Sequence, residues 1–556
     1  QMFGDPTVAI GGNIVGHACL TGDSLVQLSD GNLVNIKDIK QNNVLSSDFS
    51  NMNLRTENSE QVFVNSDVKE IYNIKTNNQI NCSALHRFFF VDNCEIREKE
   101  AKDLKVGDFV AQVARIDIKG EERQIPRFKL KKIGKISNES IDFVKEELDK
   151  KGVSKEEICK NIGITPRQFR RVLNQEYPTS FEVLENLQNY FGGQQLLEIA
   201  PVFTNKHHNI SIPEFLIPNF AQIFGYFIGD GSLEERGLRF RDARIEVLEH
   251  YRALFKQTFN IEGKIVKVKD KNCYSLDINS SEISDLFRFM KSTILNEVGI
   301  SKLEVVNAFI KGFVDAEGYI NKKRAHITIS QKKAEVLRYI QMFLLRSGIR
   351  STIKFGIGRK NIHILRISDK DVLNYLQIGF TARDKQERLI QCLERIKQTY
   401  SYEMMPVKRV ELREILEFCG LNYSNFIRSR NGNYKWVSGK ELEKAFQALM
   451  NSKIGDRQVK QKIDFIFRLL NGDIRFEKIR EININENNGE LLYDFSVPKT
   501  ENYIANGFIV HNSTYRIYLR RGKQGSRVAK MIDAPNLPEN EVIFYLTEGG
   551  IKDDDK

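Results

Sequence analysis

A chain of 556 residues, 41% hydrophobic and 28% charged, can fill several buried cores, and its 36 Gly and 11 Pro are too few for a collagenous or Pro-rich disordered polymer. No apolar run approaches the ~18 residues of a spanning helix, so no membrane partner is expected. Lys+Arg 84 against Asp+Glu 73 gives a net +11, which permits a polyanionic partner, and seven scattered Cys without a CxxC pair exclude a disulfide framework or zinc site and suit a reducing, cytoplasmic setting. The chain starts at Gln1 with no signal peptide, so a fragment is expected.

In chain order, residues 1–18 are a short Gly-rich flank, and 19–120 read as short strands split by turns such as SDG at 29–31. Residues 136–196 switch to helical periodicity. Within them, SKEEICKNIGITPRQFRRVL at 154–173 predicts helix, turn and helix, with Gly163 at the turn and Arg167, Arg170 and Arg171 on the second helix. Residues 213–400 alternate helices and strands. Residues 407–470 are helical again and loosely repeat the first insert, with Arg428 and Arg430 as candidate DNA contacts. Strands resume at 480–512, and 513–556 form a second flank. A β pattern that opens at 19, breaks and resumes at 480 predicts one β domain interrupted by insertions.

The charge excess is local. Residues 321–370 hold thirteen Lys/Arg against two acids, interleaved with strand-like AHITIS (325–330) and HILRIS (363–368). A solvated face is the plain reading of such a run. Strands that alternate their side chains can also present Lys322, Lys323, Arg324, Lys332, Lys333, Lys354, Arg359, Lys360 and Arg366 to a DNA groove.

Two junctions carry chemistry. Residues 18–24 read ACLTGDS and residues 507–513 read GFIVHNS. A Cys19 thiol can attack the carbonyl before it, and a Ser513 hydroxyl can take over the acyl group. Asn512 can cyclise on its own carbonyl and cut the last peptide bond, with His511 placed for proton transfer. Ser83 and His86, in SALH, would lie near the Cys19 amide if 81–91 pairs with the first strand.

With CLTGDSLV at 19–26, SALH at 83–86, YDFSV at 493–497 and ENYIANGFIVHN at 501–512, the chain resembles an intein, the self-splicing family with a horseshoe-like all-β Hint fold. The resemblance implies Cys19 as first nucleophile, His86 as the histidine that strains or protonates the scissile amide, and Asp494 as the aspartate that coordinates the steps. His511, Asn512 and Ser513 match the terminal pair and the acceptor, and splicing needs no cofactor. Ser83 stands where Thr is usual, and Glu501 where a histidine often precedes the aromatic.

Residues 223–231 (IFGYFIGDG) and 310–318 (IKGFVDAEG) share an apolar helix with Gly third, an acid eighth and Gly ninth. The third-position Gly allows close helix approach, and the ninth is expected to form a left-handed cap. A carboxylate in the last turn is disfavoured by the helix dipole, and a shared divalent ion would offset that. These segments resemble the LAGLIDADG homing endonucleases over 213–400. The resemblance implies pseudo-two-fold αββαββα halves, Mg²⁺ held by Asp230 and Glu317, Lys385 assisting the nucleophilic water, and a monomer cutting double-stranded DNA. The joined flanks, 1–18 followed by 513–556 with YRIYLRRGK at 515–523 and RVAKMIDAPNLPE at 527–539, resemble the RecA-like RadA recombinases of archaea, which would put an ATP site upstream of Gln1 and imply filaments on DNA. The whole is expected to be a multidomain α+β protein. Two rivals are a helix-turn-helix regulator without catalysis and a splicing intein whose endonuclease is inactive.

Overall fold

The computed structural model describes residues 19–60, 62–125, 138–152, 154–174, 183, 186, 187, 189, 190, 202–204, 209–321, 325–358, 361–368, 370–398, 404–427, 435–452, 456–512, 516–522, 526–533, 540–547 and 550–552. The chain divides into two compact units: residues 1–117, 348–353 and 398–556 form one, and residues 118–347 and 354–397 the other.

The first unit holds two antiparallel sheets. In one, the order is Glu481–Glu486, Glu70–Lys75, Gln79–Ser83, Leu20–Thr21, Leu492–Phe495, Val62–Asn65. The other runs Glu95–Glu100, Arg87–Asp92, Phe109–Val113, Phe508–His511, Asn502–Ala505, Leu25–Gln27, Leu33–Asn35, with Ile474–Lys478 also paired to Phe109–Val113. Strands before residue 114 therefore interleave with strands after 473. Side chains alternate across each strand, and the inward set (Leu20, Val26, Ile74, Ile80, Phe88, Val110, Phe495, Tyr503, Val510 among others) forms one apolar core.

The helical region 407–470 contains helices Arg409–Phe418, Gly439–Leu449 and Arg457–Asn471. It also holds a strand pair that helical periodicity does not reveal, Met404–Lys408 with Trp436–Ser438. These strands are short and lie next to helix caps, so no alternation builds up. Trp436 meets Phe109 edge-on, and Lys408 pairs with Asp92 at 2.8 Å. The flank after 512 forms a meander of Arg516–Arg521, Arg527–Asp533, Glu541–Thr547 and Gly550–Lys552.

The second unit has two halves of the same build. Each has a helix, two strands, a second helix, two strands and a further helix, and each four-stranded sheet has the order first, second, fourth, third. Helices Pro218–Asp230 and Leu303–Glu317 open the halves and pack along each other. Gly225 and Gly312 make this possible. A methyl at Gly225 would strike the carbonyl oxygen of Phe309, and one at Gly312 the carbonyl oxygen of Gln222. The ninth-position glycines are not left-handed caps: Gly231 has φ −81° and Gly318 φ −83°. They are needed for space, because a Cβ would collide with the preceding turn at Phe227 and Val314.

Separately, helices Asn138–Lys151, Lys155–Ile162 and Pro166–Leu173 share a small core of Ile141, Val144, Ile158, Phe169 and neighbours. Gly163, at φ 78°, turns the chain between the last two, and Thr165 caps the last helix in a capping box with Gln168. Among the described residues, no helix is long and apolar enough to cross a membrane.

Overpacking of a tight interface costs about 1–3 kcal/mol. Gly312→Ala should therefore lower the urea midpoint of the unit containing the helix pair by at least that equivalent. An unchanged midpoint would show that the helices have room between them.

Candidate functional site

The first site lies in the unit of interleaved strands. Leu20 pairs with Cys82 on one side and Tyr493 on the other. This register places Cys19 beside Ser83: the Cys19 amide donates to Ser83 Oγ at 3.0 Å, and the Ser83 amide donates to the Cys19 carbonyl at 2.9 Å. Of the 81–91 stretch, only the end of strand Gln79–Ser83 pairs with the first strand, through Cys82. Residues 87–92 belong to the other sheet.

A tight turn carries the chain to His86, whose amide donates to the Ser83 carbonyl at 3.2 Å. The His86 ring is fully buried and meets Phe88 edge-on. Phe88 in turn pairs with Val510 in antiparallel register, so the chain before Phe88, with His86, and the chain after Val510, with Asn512, leave these strands at the same end. Ser83 ties Cys19 to the turn that carries His86.

Burial pushes the Cys19 thiol well above the ordinary cysteine value, the Asp494 carboxylate adds to this, and a hydrogen bond with Asn65 opposes it. Cys19 is therefore held as a thiol and not as a thiolate. Asp494, also fully buried, accepts from the Tyr503 hydroxyl at 2.9 Å and from the Phe495 amide at 2.8 Å. At the other junction, His511 Nδ1 lies 2.6 Å from the Asn512 carbonyl oxygen, and the Asn512 amide donates to the Glu501 carbonyl at 3.0 Å. Tyr503 and Glu98, which approaches the His511 ring, are participants that sequence reasoning missed. Tyr503 could be suspected from its motif, but Glu98 is one acid in the charged run EIREKE and carries no signal of its own.

The second site is built on the helix pair. Asp230 and Glu317 close the last turns of the two helices, where the dipole offers them nothing. Burial, then the charge of Asp242, raises the Asp230 carboxyl. Burial and the charge of Asp230 push Glu317 up to about 7, against a 3.0 Å hydrogen bond from Gln331. Lys385, on helix Arg383–Gln398, is 8% exposed and donates to the Asp315 carbonyl at 2.6 Å. Burial and Arg244 bring its ammonium down to about 8. Its charge acts on both Asp230 and Glu317, so the three sequence-chosen residues do converge.

Sequence reasoning missed the scaffold around them. Asp315 is buried and accepts from the Tyr251 hydroxyl at 2.9 Å and the Thr381 amide at 2.8 Å. Asp242 is held by Arg244 and Tyr226. Asp315 lies two positions before Glu317 and could have been suspected, whereas the Asp242–Arg244 pair has no counterpart in the motif.

The basic stretch divides. Lys332, Lys333 and Lys354 are exposed. Arg366 is half-buried and lies opposite Thr328 across paired strands, whose alternate positions Leu365 and Ile367 are buried. Arg346 is buried and bonds to the Gly299 and Ile118 carbonyls, so part of the excess serves the core. Lys322, Lys323, Arg324, Arg359, Lys360, Arg428, Arg430, Ala18 and Ser513 lie outside the described residues.

Residues 26–512 match the intein splicing domain family, and the chain belongs to that family. Residues 489–554 match the Rad51 family. The glutamine–fructose-6-phosphate aminotransferase of Methanocaldococcus jannaschii is 30% identical over 91% of this chain and 46% of its own length. A reverse gyrase of the same organism is 23% identical over 92% of this chain and 32% of its own length. The chain thus spans less than half of each of these curated relatives. Among solved structures, a variant of the homing endonuclease I-DmoI is 23% identical over 29% of this chain and 90% of its own, with a TM-score of 0.26.

Asp230 is raised by burial and Asp242, and Glu317 by burial and Asp230, and carboxylate oxygens of this kind are the hard donors a divalent cation takes, although the described residues hold no cluster of three or more such side chains. Protons compete for that pair. With Glu317 near 7, Mg²⁺ should stabilise the fold at pH 8 more than at pH 6, because Glu317 is mostly protonated at the lower pH. The Mg²⁺-induced rise in Tm at the two pH values checks this, and an equal rise in a Glu317→Gln, Asp230→Asn double variant would place the ion elsewhere.

Proposed function

We propose that residues 19–512 excise themselves from the chain and join the flanks, and that the inserted second unit is a site-specific DNA endonuclease. One observation carries the splicing reading: Ser83 ties Cys19 to the turn that carries His86, and paired strands bring His86 and Asn512 out at the same end. In the first step Cys19 Sγ bonds to the Ala18 carbonyl carbon and the Ala18–Cys19 amide bond breaks. The thiol proton departs, with Asp494 the nearby acceptor, and the leaving nitrogen gains a proton, with His86 the donor. Ser83 holds that nitrogen's N–H in place.

The Ser513 hydroxyl then takes the acyl group, releasing the Cys19 thiol. Asn512 Nδ2 attacks its own carbonyl carbon, and the bond to residue 513 breaks. His511 Nδ1 is placed to donate to the oxyanion formed at that carbonyl. The freed amine of Ser513 finally displaces its own ester, leaving an ordinary peptide bond between the flanks. Similarity of the stretch 489–554 to the Rad51 family supports a recombinase as host, in our reading an archaeal RadA. The unlike names of relatives that match over nine-tenths of this chain support an insertion that is independent of its host.

For the second activity, Asp230 and Glu317 would hold Mg²⁺, which would neutralise and polarise a phosphodiester. Lys385, with its ammonium lowered to about 8, is suited to orient or deprotonate an attacking water. Exposed Lys332, Lys333 and Lys354, with Arg366, are suited to phosphates and base edges of double-stranded DNA. The substrate would be the uninterrupted recombinase gene, cut in the cytoplasm by a monomer.

Expression of the chain and mass analysis of its products test the splicing reading. Cys19→Ala should abolish the thioester, and Asn512→Ala should leave thioester or branched ester without joined flanks. Joined flanks of normal mass from either variant would overturn it. Asp230→Asn or Glu317→Gln should abolish cutting of a plasmid carrying the uninterrupted junction, while splicing yield stays unchanged. Undiminished cutting by both variants would remove the nuclease assignment.

A further inference from the structure

We propose that Glu98 and Glu501 are positioning residues for Asn512 cyclisation, holding the His511 ring as an imidazolium aimed at the Asn512 carbonyl. The inference deepens the splicing reading and rests on it. His511 ends the strand Phe508–His511 with 4% exposure, and its ring stacks on Phe89 with centroids 5.7 Å apart. Nδ1 lies 2.6 Å from the Asn512 carbonyl oxygen. Nε2 lies 3.6 Å from Glu98 Oε1 and 3.7 Å from Glu501 Oε2. A carbonyl and a carboxylate only accept, and a neutral imidazole carries a single N–H. Nδ1 is at hydrogen-bond distance from its acceptor, whereas Nε2 makes no hydrogen bond and lies at ion-pair distance from the two carboxylates. A doubly protonated ring therefore presents a donor to one side and its charge to the other.

The two carboxylates come from different elements, and both side chains remain partly open to solvent. Glu98 lies on strand Glu95–Glu100, and its other oxygen is 3.8 Å from Arg87 on the neighbouring strand. Glu501 has a left-handed backbone, φ 53°, that non-glycine residues seldom adopt. Its amide donates to the Val497 carbonyl at 2.9 Å, and its carbonyl accepts from the Asn512 amide at 3.0 Å. Glu501 therefore grips the cyclising residue through its backbone and faces the histidine with its side chain. The charged groups around the ring are Glu501 from the preceding turn, Glu98 from one strand and Arg87 behind Glu98.

The chemistry balances without an outside reagent. One proton leaves Asn512 Nδ2 as it bonds to the carbonyl carbon, and one reaches the departing amine. The His511 ring ends the step in the state in which it began. Its Nδ1–H steadies the oxyanion in between.

The test uses the full chain with Cys19→Ala, so that release of the flank after residue 512 reports cyclisation alone. Glu98→Gln with Glu501→Gln should slow that release about tenfold or more, in the range lost when the partner that orients a histidine is removed. Glu98→Asp with Glu501→Asp should recover part of the rate. With Cys19 restored, thiol-induced cleavage before Cys19 should stay within about twofold, since the strands there are untouched. Separately, ¹⁵N shifts of the His511 ring in the Asn512→Ala chain should show both nitrogens protonated, and only one in the double Gln variant at the same pH.

Unchanged flank release in the double Gln variant, or a singly protonated ring in the parent, overturns the proposal. Equal slowing of cleavage at both junctions does so too, because it would mean a general loss of fold. A parent that releases no flank at all refutes the splicing reading, and the ring protonation still decides whether the carboxylates clamp the histidine.

Discussion

The two-residue strand Leu20–Thr21 lies between a strand from residues 79–83 and one from residues 492–495, and its register sets both splice junctions. Leu20 has a partner on each side, Cys82 and Tyr493, and its apolar side chain is fully buried. A slip of one residue would turn Leu20 outward and carry Cys19 away from Ser83. The apolar core thus fixes the position of a reactive thiol. Because strands before 114 alternate with strands after 473, the two junctions can meet only in a completed sheet.

That completed sheet is also a difficult place for a nucleophile. Burial and the nearby Asp494 raise the Cys19 thiol, which keeps it protonated. Ser83 holds the nitrogen of that amide, and His86 stands one turn further on. Burial has the opposite consequence for Lys385, whose ammonium it brings down to about 8, where the free amine is accessible. Desolvation disfavours whichever form is charged, so one rule quiets a thiol in one unit and readies an amine in the other.

The helix pair shows a similar exchange between packing and charge. Gly225 and Gly312 bring two backbones so close that the charge of Asp230, ending one helix, raises the carboxyl of Glu317, ending the other. The nearness that excludes a methyl group is what makes the carboxyl pair a candidate cation site. Asp315, one turn from this end, uses both carboxylate oxygens on Tyr251 and Thr381, and its carbonyl on Lys385. A buried charge with every partner satisfied locks the lysine's helix against the motif helix.

The sequence by itself determined the elements whose signal is local. The interrupted β pattern, the helix–Gly163–helix turn, the paired strands around AHITIS and HILRIS, and the two apolar helices with Gly third and an acid eighth follow from periodicity and small-residue spacing. The junction residues were legible because Cys, His, Asn and Ser at two boundaries form a chemical set that packing alone does not require. Long-range register was beyond it, because pairings such as Leu20 with Tyr493 depend on which of many short strands become neighbours. The short strands Met404–Lys408 and Trp436–Ser438 were hidden among helical signals for the same reason. The ninth-position glycines could be located but not interpreted, since a collision with Phe227 or Val314 exists only in the folded turn. Glu98 looked like any solvated acid of an alternating strand. Only the pairing of that strand with Arg87–Asp92, and of the latter with Phe508–His511, carries its carboxylate to within 3.6 Å of His511.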